Sequence, residues 1–467
     1  MAQDTDELVV VANRLPVHFD GEGWQRSPGG LVSAMEPVLR GREALWIGWS
    51  GRLEGDDTPV PELPPQIGFA IEDVTLTPEE IEGYYEGFSN GAIWPLYHDA
   101  IVRPVYHRTQ FEMYRRVNEK FARRIAERAG PNATVWVHDY QLQLVPALLR
   151  GLRPDLRIGF FLHIPFPPVE IFSQLPWRRQ ILLGLLGADL VGFQTKSGAL
   201  NFLRLVRQIL ALRPGGDRVV VDELQGARTV RVEAFPIGIN ASDFMQLARD
   251  PEVIARAAEI RKDLGDPTTL LLGVDRLDYT KGIDVRIRAV AELMQDGELH
   301  ADETVFVQVA TPSREGVQEY QNIRDEVEML VGRANGGLGR VGSPAIIYLH
   351  QNLDRAELAA MYVAADAILV TPLRDGMNLV AKEYVACRDN EDGALVLSEF
   401  TGAADHLYEA WLVNPYDISG LKRSIRDAVR ASEEETERRM IALRHEVFEH
   451  DVQRWAREFI TILEEKD

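Results

Sequence analysis

The sequence predicts an α/β protein built from two parallel, helix-covered sheets. Short runs of β-branched and other apolar residues alternate with helical patterns along the 467 residues. Most of these runs are apolar throughout, which is typical of strands buried on both faces. The length suits two domains of roughly 200–250 residues. We therefore predict two Rossmann-like, doubly wound domains that face each other across a cleft.

Two series of apolar runs predict the strands. The first series is Leu8–Ala12, Leu45–Trp49, Val135–His138, Ile158–His163, Leu190–Gln194 and Val230–Phe235. The second series is Leu270–Val274, Val305–Ala310, Ile346–His350, Ile368–Thr371 and Leu395–Ser398. Between strands, apolar residues recur every three or four positions and predict helices, as at Ile283, Ile287, Val290 and Met294.

A Pro/Gly turn at residues 236–240 separates the two series and predicts a domain boundary. We expect an N-terminal domain over residues 1–236 and a C-terminal domain over residues 237–467. The C-terminal stretch, rich in Glu and Arg, predicts a helix with Trp455, Phe459 and Leu463 on one face. That apolar stripe predicts packing and leaves open a return of this helix onto the first domain.

Composition and charge narrow the functional classes. Lysine and arginine number 51 against 72 acidic residues, a net charge of −21 that repels nucleic acid. The N-terminus is acidic where a signal peptide is basic, and no apolar run reaches the length of a membrane span. With Cys387 as the only cysteine, we expect a cytoplasmic protein without disulfides or membrane partners. The sequence does not determine the oligomeric state, and a homo-oligomer is one possibility.

Metal ligands are not indicated by the sequence. The ten histidines show no His-Glu-x-x-His motif or other paired spacing. An Asp-x-Asp pair occurs only at Asp4 and Asp6, in a terminus expected to fray. We therefore expect no metal and no cofactor.

Basic residues follow the predicted strands at the edge where doubly wound sheets bind ligands. Arg14 follows the first strand, and Gly29 and Gly30 precede a helical pattern whose first amides could meet an anion. A plain tight turn is an equally weighted interpretation of the glycine pair.

Three more cations follow strands of the second series. They are Arg276, Lys281 and Arg314. Because they lie at strand ends of one sheet in an acidic chain, we predict that they form a phosphate or diphosphate site. The alternative is that each is an ordinary solvated surface charge.

The segment after the strand Ile368–Thr371 combines a glycine, backbone amides and carboxylates. Its candidate residues are Asp375, Gly376, Met377, Asn378, Leu379, Val380 and Glu383. The glycine permits close approach of the backbone, and the three amides after it open a predicted helix that could bind a phosphate. The two carboxylates could accept hydrogen bonds from sugar or ribose hydroxyls. The alternative is an N-capped helix with a salt-bridged carboxylate.

Several long motifs carry a resemblance to a known family. They are Tyr85-Glu-Gly-Phe-Ser-Asn90-Gly-Ala-Ile-Trp94-Pro95, Trp136-Val-His-Asp139-Tyr140, Gly159-Phe-Phe-Leu-His163-Ile-Pro-Phe-Pro167, Arg276-Leu-Asp-Tyr-Thr-Lys281-Gly282 and Arg374-Asp-Gly-Met-Asn-Leu-Val-Ala-Lys-Glu383. In their residues and in their order along the chain, these motifs resemble those of the trehalose-6-phosphate synthases of glycosyltransferase family 20. The resemblance extends from about residue 8 to residue 460. The resemblance implies a GT-B fold and an enzyme of trehalose biosynthesis. Such an enzyme moves glucose, with retention, from UDP-glucose or GDP-glucose to glucose 6-phosphate.

The resemblance also implies a role for each site residue. The acceptor, glucose 6-phosphate, would meet Arg14, Gly29, Gly30, Tyr85, Trp94, Asp139 and Arg314. The nucleotide-glucose donor would meet His163, Arg276, Lys281, Leu353, Asp375, Gly376, Met377, Asn378, Leu379, Val380 and Glu383. The catalytic set would be Asp139, His163, Arg276, Lys281 and Asp375. The N-terminal domain would take the acceptor and the C-terminal domain the donor.

Departures from the family pattern leave alternatives open. Leu353 stands where the family often has phenylalanine, in a loop expected to meet the nucleobase, so the base of the donor stays open. An enzyme that joins cyclitol units, as in validoxylamine-phosphate-type transfer, and a non-catalytic sugar-phosphate sensor are the two alternatives. A dehydrogenase is disfavoured because the GxGxxG match at residues 337–342 precedes a strand instead of following one.

Overall fold

Two units, each containing a parallel sheet, make up the chain. The computed structural model describes residues 8–19, 23–26, 32, 35, 38–39, 43–56, 68–223, 226–314, 316–340 and 342–465. The first unit is Met1–Ile237 together with Val452–Asp467, and the second is Gly238–Asp451. The break after Ile237 lies in the Pro/Gly turn.

The first unit contains an eight-stranded sheet and a separate hairpin. Its strands are β1 (Leu8–Arg14), β2 (Val17–Phe19), β3 (Trp24–Arg26), β4 (Ala44–Trp49), β5 (Ala70–Asp73), β6 (Thr134–His138), β7 (Arg157–Leu162), β8 (Leu190–Phe193), β9 (Arg218–Glu223) and β10 (Gly226–Ala234). The sheet order is β5-β4-β1-β6-β7-β8-β10-β9, with only the β9–β10 pair antiparallel. The hairpin is β2-β3.

Helices connect the strands of the first unit. Those whose bounds lie within the described residues are α1 (Pro78–Glu80), a π-helix (Ile81–Ile93), α2 (Trp94–Tyr97), α3 (Arg108–Arg128), α4 (Val145–Leu152), α5 (Val169–Phe172), α6 (Arg178–Leu185) and α7 (Lys196–Leu210). The first three are continuous. They begin at a capping box in which Thr77 and Glu80 each bond the other's backbone amide, at 3.2 and 3.0 Å.

The second unit repeats the pattern with a six-stranded, wholly parallel sheet. Its strands are β11 (Thr269–Arg276), β12 (Thr304–Thr311), β13 (Ile346–Leu349), β14 (Ala367–Val370), β15 (Ala394–Ser398) and β16 (Trp411–Val413), in the order β13-β12-β11-β14-β15-β16. Its helices are α8 (Ala241–Ala248), α9 (Pro251–Asp263), α10 (Ile283–Gln295), α11 (Gln318–Leu338), α12 (Arg355–Ala364), α13 (Leu379–Cys387), α14 (Ile418–Val429) and α15 (Glu433–Glu449).

The final helix, α16 (Val452–Glu464), packs in the first unit against β7 and β8. Its Trp455 and Phe459 are buried on Trp136 of β6, with ring centroids 4.9 and 4.4 Å away. The C-terminal stretch that the sequence predicts as helical forms two helices, α15 and α16. The backbone of His450 leaves the helical region, with φ −109° and ψ 56°, and separates α15 from α16.

The predicted strands are present, with corrections at their ends and edges. β11 continues to Arg276 and β12 to Thr311, so Asp275 and Arg276 lie in a strand and not in the loop that the sequence predicts. The short strands β2, β3, β5, β9 and β16 were not predicted. They lie at sheet edges or in the hairpin, where strands are partly exposed and an apolar run, as at residues 219–221 or in Trp411–Val413, is only three residues long.

A glycine on β7 provides a test of the packing of α16. A Cβ on Gly159 would lie 2.7 Å from Phe459 Cε1 and 2.8 Å from Leu463 Cδ2. We expect Gly159→Ala to lower the free energy of unfolding by about 1–3 kcal/mol through overpacking, measured by urea denaturation. Gly151→Ala in α4 is the control, because a Cβ added there would meet no atom within 4 Å beyond its chain neighbours and the backbone of its own helix. Equal stability of the two variants would contradict the prediction.

Candidate active site

Arg14 ends β1 beside two aromatic rings. Strand register places it opposite Trp49 of β4, and its Cζ lies 3.8 Å from the centroid of that ring. Tyr85 lies near the same guanidinium, at 5.7 Å, and meets Trp49 edge-on. Arg14 remains exposed. Because stacking fixes the plane of a guanidinium, its donors are preorganised for an oxyanion such as a phosphate.

Trp94 and Asp139 belong to one polar and aromatic group in the first unit. The buried Trp94 ring packs on Tyr140, with centroids 5.5 Å apart, and Tyr140 donates to Asn90 Oδ1 at 2.8 Å. Asp139 follows β6 with a φ of +75°, an unusual backbone for a residue other than glycine. Its Oδ1 accepts a 3.2 Å hydrogen bond from the backbone N–H of His163.

Two histidines meet at the carboxyl ends of β6 and β7. Nδ1 of His138 lies 3.1 Å from Nε2 of His163. His138 is completely buried, and burial lowers its pKa well below the ordinary 6.5. Burial likewise lowers the pKa of His163 to about 3. Both rings are therefore neutral at pH 7.

The low pKa of His138 predicts a pH dependence of stability. Below pH 6.5 the unfolded chain takes up a proton at this residue while the folded chain does not. The contribution of His138 to the free energy of unfolding is therefore fully present above pH 6.5. It falls on acidification by up to about 1.4 kcal/mol per pH unit. We expect His138→Leu to flatten the decline between pH 6.5 and 5 by that slope in urea titrations. The exposed control His300→Gln should parallel the wild type; parallel curves for His138→Leu would refute the prediction.

In the second unit a tight turn after β11 presents Lys281. Asp278 caps the 3₁₀ turn Tyr279–Lys281 by accepting from the Thr280 N–H at 3.0 Å. Gly282 follows with a φ of +60°, and a Cβ there would lie 2.5 Å from the Thr371 carbonyl oxygen. Only glycine fits this position, and the close approach holds the turn against the end of β14.

Lys281 and Asp375 form an ion pair at the head of α13. Lys281 Nζ lies 2.6 Å from Asp375 Oδ2, and Lys281 is only 8% exposed. Asn378 Nδ2 donates to the same carboxylate oxygen at 3.1 Å. Asn378 also begins α13, since its Oδ1 accepts from the Ala381 N–H at 3.2 Å. The structure thus brings together residues that the sequence placed after two different strands.

The neighbours of this pair have distinct positions. Gly376 and Met377 are buried, and Leu379 and Val380 are the first residues of α13. Glu383, one turn later, accepts a 2.9 Å hydrogen bond from the Tyr362 hydroxyl, and burial raises its pKa. Arg276 is exposed at the end of β11. Leu353, partly exposed, precedes Asp354, the N-cap of α12.

Arg314 lies in the second unit, whereas the other described residues of the predicted acceptor side lie in the first. Its buried guanidinium is held 3.4 Å from Asp278 Oδ2 and by the Tyr320 hydroxyl. Tyr320 in turn donates to Asp278 at 2.9 Å. Gly29 and Gly30 lie outside the described residues.

The sequence matches a known enzyme family over nearly its whole length. The model of glycosyltransferase family 20 matches residues 6–465. The chain belongs to glycosyltransferase family 20. It is therefore a glycosyltransferase, and the predicted enzyme class is confirmed.

Individual members of family 20 are similar along the full chain. "Trehalose-6-phosphate synthase" of Mycobacterium marinum is 54% identical over 98% of this chain and 93% of its own length. A Burkholderia xenovorans α,α-trehalose-phosphate synthase (UDP-forming), solved in complex with glucose-6-phosphate, has a TM-score of 0.90 at 33% identity, covering 98% and 100% of the two chains. An Escherichia coli structure bound with UDP-2-fluoro glucose has a TM-score of 0.88 at 34% identity, covering 99% of each. These likenesses confirm the predicted GT-B fold class.

The sequence analysis did not single out several residues that contact the candidate site residues, namely Trp49, His138 and Arg286. Trp49 is the last residue of a predicted strand. Its place beside Arg14 could have been predicted, because the carboxyl ends of neighbouring parallel strands lie at the same edge of the sheet. His138 immediately precedes Asp139 in the Trp136-Val-His-Asp139-Tyr140 motif, which is the signal that could have identified it. Arg286 had no signal, because it is one charged residue within an amphipathic helix.

Arg286 is completely buried behind Lys281. Its guanidinium lies 2.5 Å from Asp275 Oδ2 and donates to the Lys281 carbonyl oxygen at 3.3 Å. It also donates to the Leu369 carbonyl oxygen of β14. One side chain therefore ties the ends of β11 and β14 to the turn that carries Lys281.

The described ranges of the chain contain neither a candidate metal-ion site nor a candidate membrane-spanning helix. No group of three or more His, Cys, Asp or Glu side chains there is arranged to hold a metal ion. Among the helices of the same ranges, none combines the length and apolarity needed to cross a bilayer.

Proposed function

We propose that the chain transfers glucose from a nucleoside diphosphate glucose to glucose 6-phosphate, forming α,α-trehalose 6-phosphate with retention at the anomeric carbon. The observation that carries the proposal is the cluster of Lys281, Asp375 and Asn378 at the head of α13. Similarity to a relative named trehalose-6-phosphate synthase, and to structures with glucose-6-phosphate or UDP-2-fluoro glucose, supports the choice of substrates.

In this proposal the second unit binds the donor. Arg276 and Lys281 supply positive charge, and the first amides of α13 add N–H donors for the diphosphate. Asp375 would accept from the hydroxyls of the transferred glucose and Glu383 from those of the ribose. The base would lie at the backbone around Leu353, which leaves uridine, guanosine and adenosine to be distinguished.

The acceptor assignment rests on the first unit. The stacked guanidinium of Arg14 is suited to the phosphate of glucose 6-phosphate, and the partly exposed Tyr85 beside it offers aromatic surface to the sugar ring. Trp94, which the family resemblance assigns to the same side, is buried on Tyr140 and would act by supporting that side of the site. Asp139 would accept from a sugar hydroxyl, and His163 would contact the donor glucose. Arg314 would join the clamp on the acceptor phosphate, as the family resemblance implies.

We propose a front-face reaction for the retaining transfer. The acceptor hydroxyl forms its bond to the anomeric carbon on the side that the diphosphate leaves, and a diphosphate oxygen takes the hydroxyl proton. A double displacement would need a carboxylate nucleophile. Asp375 is poorly suited to that role, because its Oδ2 already accepts hydrogen bonds from Lys281 and Asn378. The cations instead stabilise charge on the departing diphosphate.

Product identification tests the proposal. The protein is incubated with glucose 6-phosphate and UDP-glucose, GDP-glucose or ADP-glucose in turn, and the disaccharide is identified by NMR and mass spectrometry. We expect α,α-trehalose 6-phosphate, with activity unchanged by EDTA. Binding of glucose 6-phosphate without release of nucleotide would favour the sensor, and turnover only with cyclitol substrates would favour the cyclitol-joining enzyme.

The proposal also includes a cellular location, the absence of certain partners and a possible homo-oligomer. We place it in the cytoplasm, where nucleotide sugars and sugar phosphates are made, with no nucleic-acid or membrane partner. The charge of −21 supports the first exclusion. Fractionation of cells that express the chain, and size-exclusion chromatography with light scattering, test location and a homo-oligomer.

A further inference from the structure

The hydrogen bond between His138 and His163 admits two arrangements of one proton. Both rings are neutral at pH 7, because burial lowers the pKa of each. A neutral imidazole carries one N–H, so either His138 Nδ1–H donates to His163 Nε2, or His163 Nε2–H donates to His138 Nδ1. The two arrangements place the other ring proton on different atoms.

The surroundings of His138 favour the first arrangement. Its Nε2 atom is buried and has no hydrogen-bond partner among the described residues. Its other ring neighbours, Trp136 and Trp455 at 4.7 and 6.4 Å, carry indole N–H groups, which can only donate. A proton on Nε2 would be a buried donor without an acceptor, which is rarer and more costly than a bare lone pair.

The ring of His163 is held from several sides. Its backbone N–H donates to Asp139, and its ring packs edge-on against Phe161 with centroids 4.8 Å apart. Trp455 of α16 covers it at 6.2 Å. With Nε2 engaged by His138, Nδ1 is the ring nitrogen that His163 can offer to a ligand.

We propose that His138 is a positioning residue that fixes His163 with its proton on Nδ1, so that His163 donates a hydrogen bond to an oxygen of the donor sugar. The role of His163 toward that sugar rests on the proposed function. The tautomer does not, since it follows from the contacts of the free protein.

The tautomer is measured directly by long-range ¹H–¹⁵N NMR of histidine-labelled protein at pH 7 without substrate. His138→Leu and His163→Gln variants assign the two rings. We expect a protonated Nδ1 and an unprotonated Nε2 in both histidines. A proton on Nε2 of either ring overturns the inference, whatever the enzyme is found to catalyse.

A double-mutant cycle tests the positioning role with the nucleotide sugar identified in the product assay. We expect His138→Leu to lower kcat/KM for the donor about tenfold, the equivalent of one good hydrogen bond, with KM for glucose 6-phosphate unchanged. His138→Asn, whose amide can replace the Nδ1–H donor, should recover activity to within about threefold of wild type. In a His163→Ala background, His138→Leu should have no further effect.

Equal losses in both backgrounds would overturn the positioning role, because His138 would then act independently of His163. Thermal melts identify any variant that fails to fold. If His138→Leu fails, His138→Asn assigns the ring of His138 in its place, and the tautomer measurement on wild-type protein decides. A chain with the expected tautomers and no trehalose 6-phosphate product would refute only the proposed function. Product formation with His163 protonated on Nε2 would refute only this inference.

Discussion

Replacing Lys281 by alanine is expected to lower kcat by about 10²–10³-fold, the usual cost of losing one donor to a developing oxyanion. Lys281 Nζ lies 2.6 Å from Asp375 Oδ2 in a nearly buried setting, so its charge is fixed in place before substrate binds. In the proposed reaction that charge stabilises the departing diphosphate. KM for glucose 6-phosphate should change little, since the acceptor is assigned to other residues.

Steady-state kinetics with each substrate varied in turn separate these effects. Lys262→Ala is a matched control, because Lys262 is an exposed lysine in the last turn of α9, and its kcat should equal that of wild type. Lys281→Arg asks whether charge alone suffices. Turnover of Lys281→Ala close to wild type, with a normal melting temperature, would remove Lys281 from the catalytic set.

Replacing Arg286 by methionine is expected to lower the free energy of unfolding by about 3–5 kcal/mol, the cost of leaving one partner of a buried ion pair alone. The side chains of Arg286 and Asp275 are fully buried, and Arg286 Nη2 lies 2.5 Å from Asp275 Oδ2. Without the guanidinium, Asp275 is left desolvated beneath the turn that carries Lys281. Burial already raises the pKa of Asp275, and the variant should protonate it more readily.

Urea denaturation of three variants tests this prediction. The double variant Arg286→Met/Asp275→Asn should recover much of the loss, because the uncompensated charge is gone. Arg324→Met removes the exposed ion pair with Glu328 and should cost less than about 1 kcal/mol. A double variant no more stable than Arg286→Met would show that the loss comes from the carbonyl contacts of Arg286 and not from Asp275.

The central strands were predictable because burial on both faces is visible locally. β1 and β6 bury nearly every residue, and each contains a continuous apolar run, at residues 8–12 and 135–137. β5 is an edge strand with one exposed and three half-buried residues, and its sequence, Ala-Ile-Glu-Asp, carries no such pattern. Its existence depends on pairing with β4, which is a tertiary contact.

The site was predictable only in part, for a similar reason. Arg14 and Arg276 were predicted as site residues because they follow predicted strands, at the edge where doubly wound sheets bind ligands. The family resemblance supplied their roles. Neither the strand ends nor the resemblance could pair Lys281 with Asp375, because these residues are far apart in the chain and meet only when β11 and β14 are aligned in the sheet. Strand boundaries one or two residues too short also assigned Asp275 to a loop.

The placement of α16 has a consequence for synthesis of the protein on the ribosome. Residues 452–464 complete the aromatic core over Trp136, Phe161 and Phe235, yet they are translated after the whole of Gly238–Asp451. The nascent N-terminal unit must therefore wait, with that apolar face uncovered, while more than two hundred further residues emerge. A gene fragment that stops at Ile237 encodes an incomplete unit, and an autonomous version would need the α16 segment joined to it.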